Sequence, residues 1–281
     1  MILITGATGA IGREVVRGIP DGPAVRIMAR RPERVTGAGT AAETVPGDFT
    51  DPASLTAALR GVSTVFLVTL PDGEDDAGFL RAARSAGVGH VVKLSAAAVG
   101  DSRAQDLITR RQRRNEELLR ASGMRWTLLR PRSFMSNTLS WAGSIRSQGV
   151  VRALYGDSVN ACVDPRDVAE VAVRALTGDG HEGRTYTLTG PEAISAAEQT
   201  KLLGELLGRQ LLFEELGPGR ARAALGARYP ADIVEALLES AERGRAGSKT
   251  AVGGTVAALL GRPARTFGTW AGDHLDAFAG R

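Results

Sequence analysis

The sequence is short of cysteine and lysine, and each shortage narrows what the chain can be. A lone cysteine, Cys162, cannot close an internal disulfide, which removes the disulfide-framed scaffolds. His90, His181 and His274 stand at no metal-ligand spacing, so no metal is expected. Lysine occurs only at 93, 201 and 249; the rest of the 35 basic residues are arginines. Set against 31 acidic residues, they leave a net charge of +4 over 281 positions, far from a polyanion-binding excess. Nucleic acid is not an expected partner: the arginines between Arg103 and Arg120 have acidic neighbours, no interleaved aromatic and no helix-turn-helix spacing. Nowhere do about 18 apolar residues follow one another, so no membrane span is expected. Met1 leads through an apolar run straight into a glycine motif with no stretch resembling a secretory leader, and the expected location is cytoplasmic. Internal repeats, G-X-Y periods and Pro-rich linkers are lacking as well.

What is present reads as a globular α/β chain, 43% apolar with 35 glycines. Short apolar runs alternate with helical patterns through the first 130 residues, the mark of repeated βαβ units around a parallel sheet. Strands are expected at Ile2 to Thr5, Ala24 to Ala29, Glu43 to Val45, Val62 to Thr69, His90 to Ser95 and Trp126 to Leu129. Ile11, Val15, Val16 and Ile19 mark one helical face, and Asp51-Pro52, Asp164-Pro165 and Ser195 to Glu198 open further helices. Beyond about residue 150 the pattern turns mainly helical. Two units are therefore expected, 1–150 and a smaller lobe 151–281, with 150–154 and 184–189 as strands returning to the sheet.

The strongest motif is Gly6-Ala-Thr8-Gly9-Ala-Ile11-Gly12, set between an apolar tetrapeptide and an amphipathic helix. Glycines at this spacing allow a tight turn, close approach of backbone to a pyrophosphate and close helix-to-strand packing, with the helix N-terminus facing the phosphates. A dinucleotide is the expected ligand, bound through Gly6, Thr8, Gly9, Ile11 and Gly12. At the end of the second strand, where a carboxylate would accept from an adenosine ribose, the chain has Arg30 and Arg31. Forked guanidinium donors favour a 2′-phosphate, hence NADPH over NADH; the alternative leaves one arginine solvated and gives the ribose to Glu33. Asp48 and Phe49, after the third strand, are placed at the adenine, with a plain turn role for Asp48 as the competing reading. Thr69 and Leu70, past the fourth strand, are expected near the nicotinamide end.

Together with Trp126 to Pro131, Phe134 to Asn137, Tyr186 to Glu192 and Thr266-Phe267, these motifs resemble the NmrA-like group of atypical short-chain dehydrogenase/reductases, in particular its bacterial quinone- and azo-reductase-like branch. The resemblance implies a Rossmann doubly wound parallel sheet with a small C-terminal, mainly helical substrate lobe, and NADP(H) binding. It also admits two activities, a reductase or a silent dinucleotide-binding redox sensor with a protein partner. The Tyr-x-x-x-Lys pair of typical short-chain dehydrogenases is missing, and Gln112 stands where related chains often have histidine. Glutamine cannot titrate, so the acceptor should be conjugated and able to take its proton from water: a quinone, azo, enone or iminium compound. Ser95 and Lys93, two apart on one strand face, are the candidates to hold it; the alternative makes Ser95 a loop cap and sends Lys93 to solvent. Pro131, Phe134 and Met135 are expected to line the crevice for a flat substrate, unless Phe134 and Met135 are core residues. A homodimer is left open.

Overall fold

The computed structural model describes residues 1–35, 42–69 and 76–279. In chain order the elements are β1 (Ile2–Thr5), α1 (Ala10–Gly18), β2 (Val25–Ala29), β3 (Ala42–Pro46), α2 (Pro52–Ala58), β4 (Thr64–Leu67), α3 (Ala77–Ser85), β5 (His90–Leu94), α4 (Leu107–Ala121) and β6 (Arg125–Pro131). There follow α5 (Ala142–Gln148), β7 (Val150–Ala153), α6 (Pro165–Thr177), β8 (Arg184–Leu188), α7 (Ala196–Leu206), β9 (Leu212–Glu215), α8 (Pro218–Gly226), α9 (Ala231–Arg243), α10 (Thr255–Leu260), α11 (Phe267–Asp273) and α12 (Leu275–Ala279). None of the helices among the described residues is long and apolar enough to cross a membrane.

Two compact units form. The first takes Met1–Asp101, Thr109–Pro131 and Pro165–Thr187; the second takes Ser102–Ile108, Arg132–Asp164 and Leu188–Arg281. Where the sequence leads one to expect a single boundary at residue 150, the chain thus passes between the units repeatedly. The reason is α6, whose buried Val168, Val171, Ala172 and Ala175 pack against α1 and the sheet.

The first unit is the expected Rossmann α/β fold. Its sheet runs β3-β2-β1-β4-β5-β6-β8, and every pairing from β3 to β6 is parallel. Strand order reverses on either side of β1, which creates a ligand crevice at the carboxyl ends of the strands. Ile2, Leu3 and Ile4 are all buried. Successive side chains point to opposite faces, so such a strand must be covered twice. Leu55, Phe79 and Leu119 of α2, α3 and α4 cover Leu3, Val65, Val91 and Leu128 on one face. The other face is covered by α1 and α6. Each fully buried Leu, Ile or Val contributes on the order of 1.5–3 kcal/mol. Asp51 caps α2 by accepting from Ala53 N at 2.9 Å, with Pro52 opening the helix as expected.

In the second unit Ile145, Leu203, Phe267, Trp270 and Phe278 form the core, with Trp270 stacked on His274 at 4.5 Å. The expected strand at 150–154 exists, but it does not return to the large sheet. β7 pairs in parallel with β9, Val150 opposite Leu212, in a separate two-stranded sheet. The capping box at Ser195 is complete: Ser195 Oγ accepts from Glu198 N at 3.2 Å and Ser195 N donates to Glu198 Oε2 at 2.7 Å. The motif residues near 190 are structural. A Cβ on Gly190 would fall 2.0 Å from the Cys162 carbonyl oxygen, and Glu192 Oε1 accepts from Phe267 N at 2.9 Å.

Candidate functional site

The glycine loop leaves β1 and enters α1 by the route its glycines require. Gly6 has φ +67°, and Gly9 N donates to Gly6 O at 2.9 Å, closing the turn. A Cβ on Gly12 would lie 2.2 Å from Gly6 O, so only glycine lets the helix pack this near the turn. Gly9 is the N-cap of α1 and no side chain caps it, which leaves the first-turn N–H groups and the positive end of the helix dipole for a ligand. Thr8 and Gly9 are exposed at the loop tip, whereas the Ile11 side chain is buried in the core. An uncapped cradle that a single methyl would fill fits a dinucleotide pyrophosphate.

At the carboxyl end of β2, Arg30 and Arg31 are exposed, and their guanidinium groups make no hydrogen bond or ion pair within the described residues. Two solvated guanidinium groups there provide fixed charge for an anion. Asp48 accepts from Thr50 N at 2.9 Å and from Thr50 Oγ1 at 2.8 Å, and these bonds hold its carboxyl below the usual range. The turn role is therefore occupied, by Oδ1 alone. Phe49 rests against Phe79, ring centroids 5.2 Å apart.

Past β4 and β5 lies a buried polar cluster. Lys93 is wholly enclosed, not solvated: Nζ is 2.6 Å from Asp76 Oδ2 and donates to Thr69 Oγ1 at 3.2 Å. Asp76 Oδ1 has no hydrogen-bond partner among the described residues. Asn115 Oδ1 accepts from Asp76 N at 3.1 Å, tying α4 to the start of α3. Ser95 does not cap the loop. Its hydroxyl donates to Glu116 Oε1 at 2.6 Å, while Arg130 donates to both oxygens of Glu116 at 2.8 and 2.5 Å. Burial pushes the Glu116 carboxyl up, but the bonds from Arg130 and Ser95, with the charges of Arg130 and Arg120, outweigh it and set it below its ordinary value. Gln112, one turn before Glu116 on the same helix face, has a buried Oε1 without a hydrogen-bond partner among the described residues. Leu70 lies outside the described residues. Pro131 closes β6 and is buried.

The second unit contains a cavity of about 290 Å³ walled by Phe134, Trp141 and Tyr155, with Asn160, Gln199 and Lys249 among its polar lining. Phe134 is thus at a cavity of the second unit. Met135 is not; at 1% exposure it belongs to the core with Ile145 and Phe267. Burial first, and the charge of Arg243 next, lower the Lys249 ammonium to about 8. Burial also pushes the Cys162 thiol up.

Sequence reasoning missed Asp76, Arg130 and Lys249. A signal existed for Lys249: in a chain that otherwise uses arginine, only three positions keep lysine, and two of them are largely enclosed.

Comparison with known proteins matches residues 6–179 to the family described as NAD(P)H-binding. The chain is 60% identical over 280 residues, 99% of each chain, to the (4-alkanoyl-5-oxo-2,5-dihydrofuran-3-yl)methyl phosphate reductase of Streptomyces griseus. It is 38% identical to the NAD(P)H azoreductase of Xenophilus azovorans, again over 99% of both. Among solved structures, the NADPH complex of an NADPH-dependent quinone oxidoreductase from Escherichia coli superposes with a TM-score of 0.85 at 27% identity, covering 98% of this chain and 99% of the other.

Proposed function

Because the chain belongs to the NAD(P)H-binding family, as an NAD(P)H-dependent reductase of the NmrA-like group, we propose that it uses NADPH to reduce the conjugated carbon–carbon double bond of an acyl-substituted butenolide phosphate. The observation that carries this reading is the absence of an available acid on α4. Gln112 cannot titrate, Glu116 is tied to Arg130, and Lys93 is tied to Asp76. Reduction of a plain ketone needs a proton at the forming alkoxide, and these residues offer none. An acceptor that spreads its own charge has no such need. In the substrate named for the Streptomyces griseus relative, one alkene carbon bears the phosphomethyl group and the other lies between the lactone and acyl carbonyls. Electrons added at the former leave an enolate delocalised over two carbonyl oxygens, which water protonates.

When bound, NADPH supplies the hydride; Gly6, Thr8, Gly9, Ile11 and Gly12 hold its pyrophosphate by backbone, and Arg30 and Arg31 hold the 2′-phosphate. Asp48 and Phe49 flank the adenine, while Thr69 meets the nicotinamide end. Lys93 is a positioning residue, fixing Thr69 through its 3.2 Å bond and neutralising Asp76 inside the unit. Ser95, held by Glu116, and Pro131 are the first unit's candidates to meet the acceptor. Phe134 supplies an apolar face for a flat ring.

The test is NADPH consumption with four acceptors: the alkanoyl butenolide phosphate, a naphthoquinone, an azo dye and an unactivated ketone. Turnover of the first with kcat/KM well above the others, and none of the ketone, is expected. Ketone reduction at a comparable rate would overturn the proposal.

A further inference from the structure

The cavity of the second unit holds polar groups that the protein leaves unused. Lys249 Nζ has no hydrogen bond or ion pair within the described residues. Its stem crosses Gly244, where an added Cβ would fall 3.2 Å from Cδ and 3.5 Å from Nζ, so the glycine makes room for the lysine. Asn160 lines the same cavity with Oδ1 buried and unpartnered. The hydroxyls of Ser133 and Ser158 face it without a bond to the described residues. Around Lys249 stand Arg132, Arg243, Asp106 and the Cys162 thiol. Arg243 pairs with Asp106 at 2.5 Å, which leaves the Lys249 ammonium with no ion-pair partner of its own among the described residues. Enclosing a cation without a counterion is costly, and a bound anion would offset that cost.

We propose that Lys249, assisted by the Asn160 amide, is the anion subsite of this cavity and takes the phosphate monoester of the acceptor, an inference that rests on the butenolide phosphate reading above. An ammonium is a compact charge with three donors, suited to a phosphate that is mostly a dianion at pH 7. The Asn160 amide turns its NH2 toward the same oxygens at no cost in shape. Phe134, Trp141 and Tyr155 wall the remaining space for the ring. At about 290 Å³ the cavity is at the lower end of ligand pockets, which run roughly 300–1,000 Å³, and it suits a headgroup better than a long acyl chain.

Two measurements test the subsite and separate its failure from that of the reading beneath it. The first is calorimetric titration with phenyl phosphate, which needs no turnover. Wild type should bind, Lys249→Met should bind at least tenfold more weakly, and Lys249→Arg should recover part of the loss. With the protein unmodified, affinity should fall about tenfold per pH unit above the Lys249 value of about 8. The Cys162 thiol is displaced upward by its burial. The second measurement is the ratio of kcat/KM for the butenolide phosphate to that for its dephosphorylated alcohol. The ratio should collapse toward one in Lys249→Met. Equal binding by wild type and Lys249→Met, or equal kcat/KM losses on both substrates, would overturn the subsite. Wild type that binds phenyl phosphate yet reduces no butenolide would sustain the subsite and remove the function proposed above.

Discussion

At the scale of single residues, the nucleotide end of the site rests on charge that the protein does not use itself. Replacing Arg30 and Arg31 by alanine should weaken NADPH binding at least tenfold and leave NADH binding within about twofold, since each charge-assisted bond is worth roughly 1.5–3 kcal/mol. Calorimetric titration with both cofactors checks this, and equal losses would remove the 2′-phosphate assignment. Glu116 makes a different prediction. Removing one partner of a buried pair costs about 3 kcal/mol, so Glu116→Gln should melt well below wild type at pH 7. The native carboxyl lies below its ordinary value, so its stabilisation is present above about pH 4.5 and lost as pH falls through the native value. The gap in melting temperature between wild type and Glu116→Gln should therefore close on acidification. Little of this cluster is legible in the sequence. Lys93 and Asp76 stand on either side of α3, and a strand residue gives no indication of which helix terminus will meet it. The strand-end position of Arg30 and Arg31 was readable because the glycine motif upstream fixes where the second strand ends.

At the scale of elements, Gly12→Ala tests whether the loop and the helix are one device. Its Cβ would sit 2.2 Å from Gly6 O, and forced overpacking costs about 1–3 kcal/mol. Melting temperature and NADPH affinity should fall together. Asp51→Ala, by contrast, removes only the cap of α2: stability should drop by roughly 1 kcal/mol in a thermal melt, with kcat unchanged. The strands of the large sheet were legible as apolar runs because burial on both faces leaves little choice of side chain. β7 misled for the same reason it was found. Val150 to Ala153 reads as a strand, yet four residues say nothing about their partner, and β9 was not recognised at all. The sequence leaves Met135 between a crevice wall and the core, because an apolar residue beside a crevice and one beneath it look alike; the structure puts it in the core.

At the scale of the whole molecule, the two units divide the work by the chemistry they carry. The first holds the dinucleotide cradle, the arginines and the buried polar cluster; the second holds an aromatic cavity with an unpaired lysine. Fold class was readable because βαβ alternation and a glycine turn are local patterns. The interleaving of the units was not, since α6 joins the first unit only through packing against distant α1. The missing Tyr-x-x-x-Lys pair was equally legible and guides the choice of acceptor. The central claim is that the hydride enters the conjugated alkene and that the acceptor absorbs the resulting charge as an enolate. The most direct measurement follows label by NMR during reduction of the alkanoyl butenolide phosphate, once with NADPH deuterated on the nicotinamide ring and once in heavy water. Cofactor deuterium should arrive on the ring carbon bearing the phosphomethyl group, and solvent deuterium on the carbon between the two carbonyls. Cofactor deuterium on the acyl carbonyl carbon, giving an alcohol, would contradict the claim.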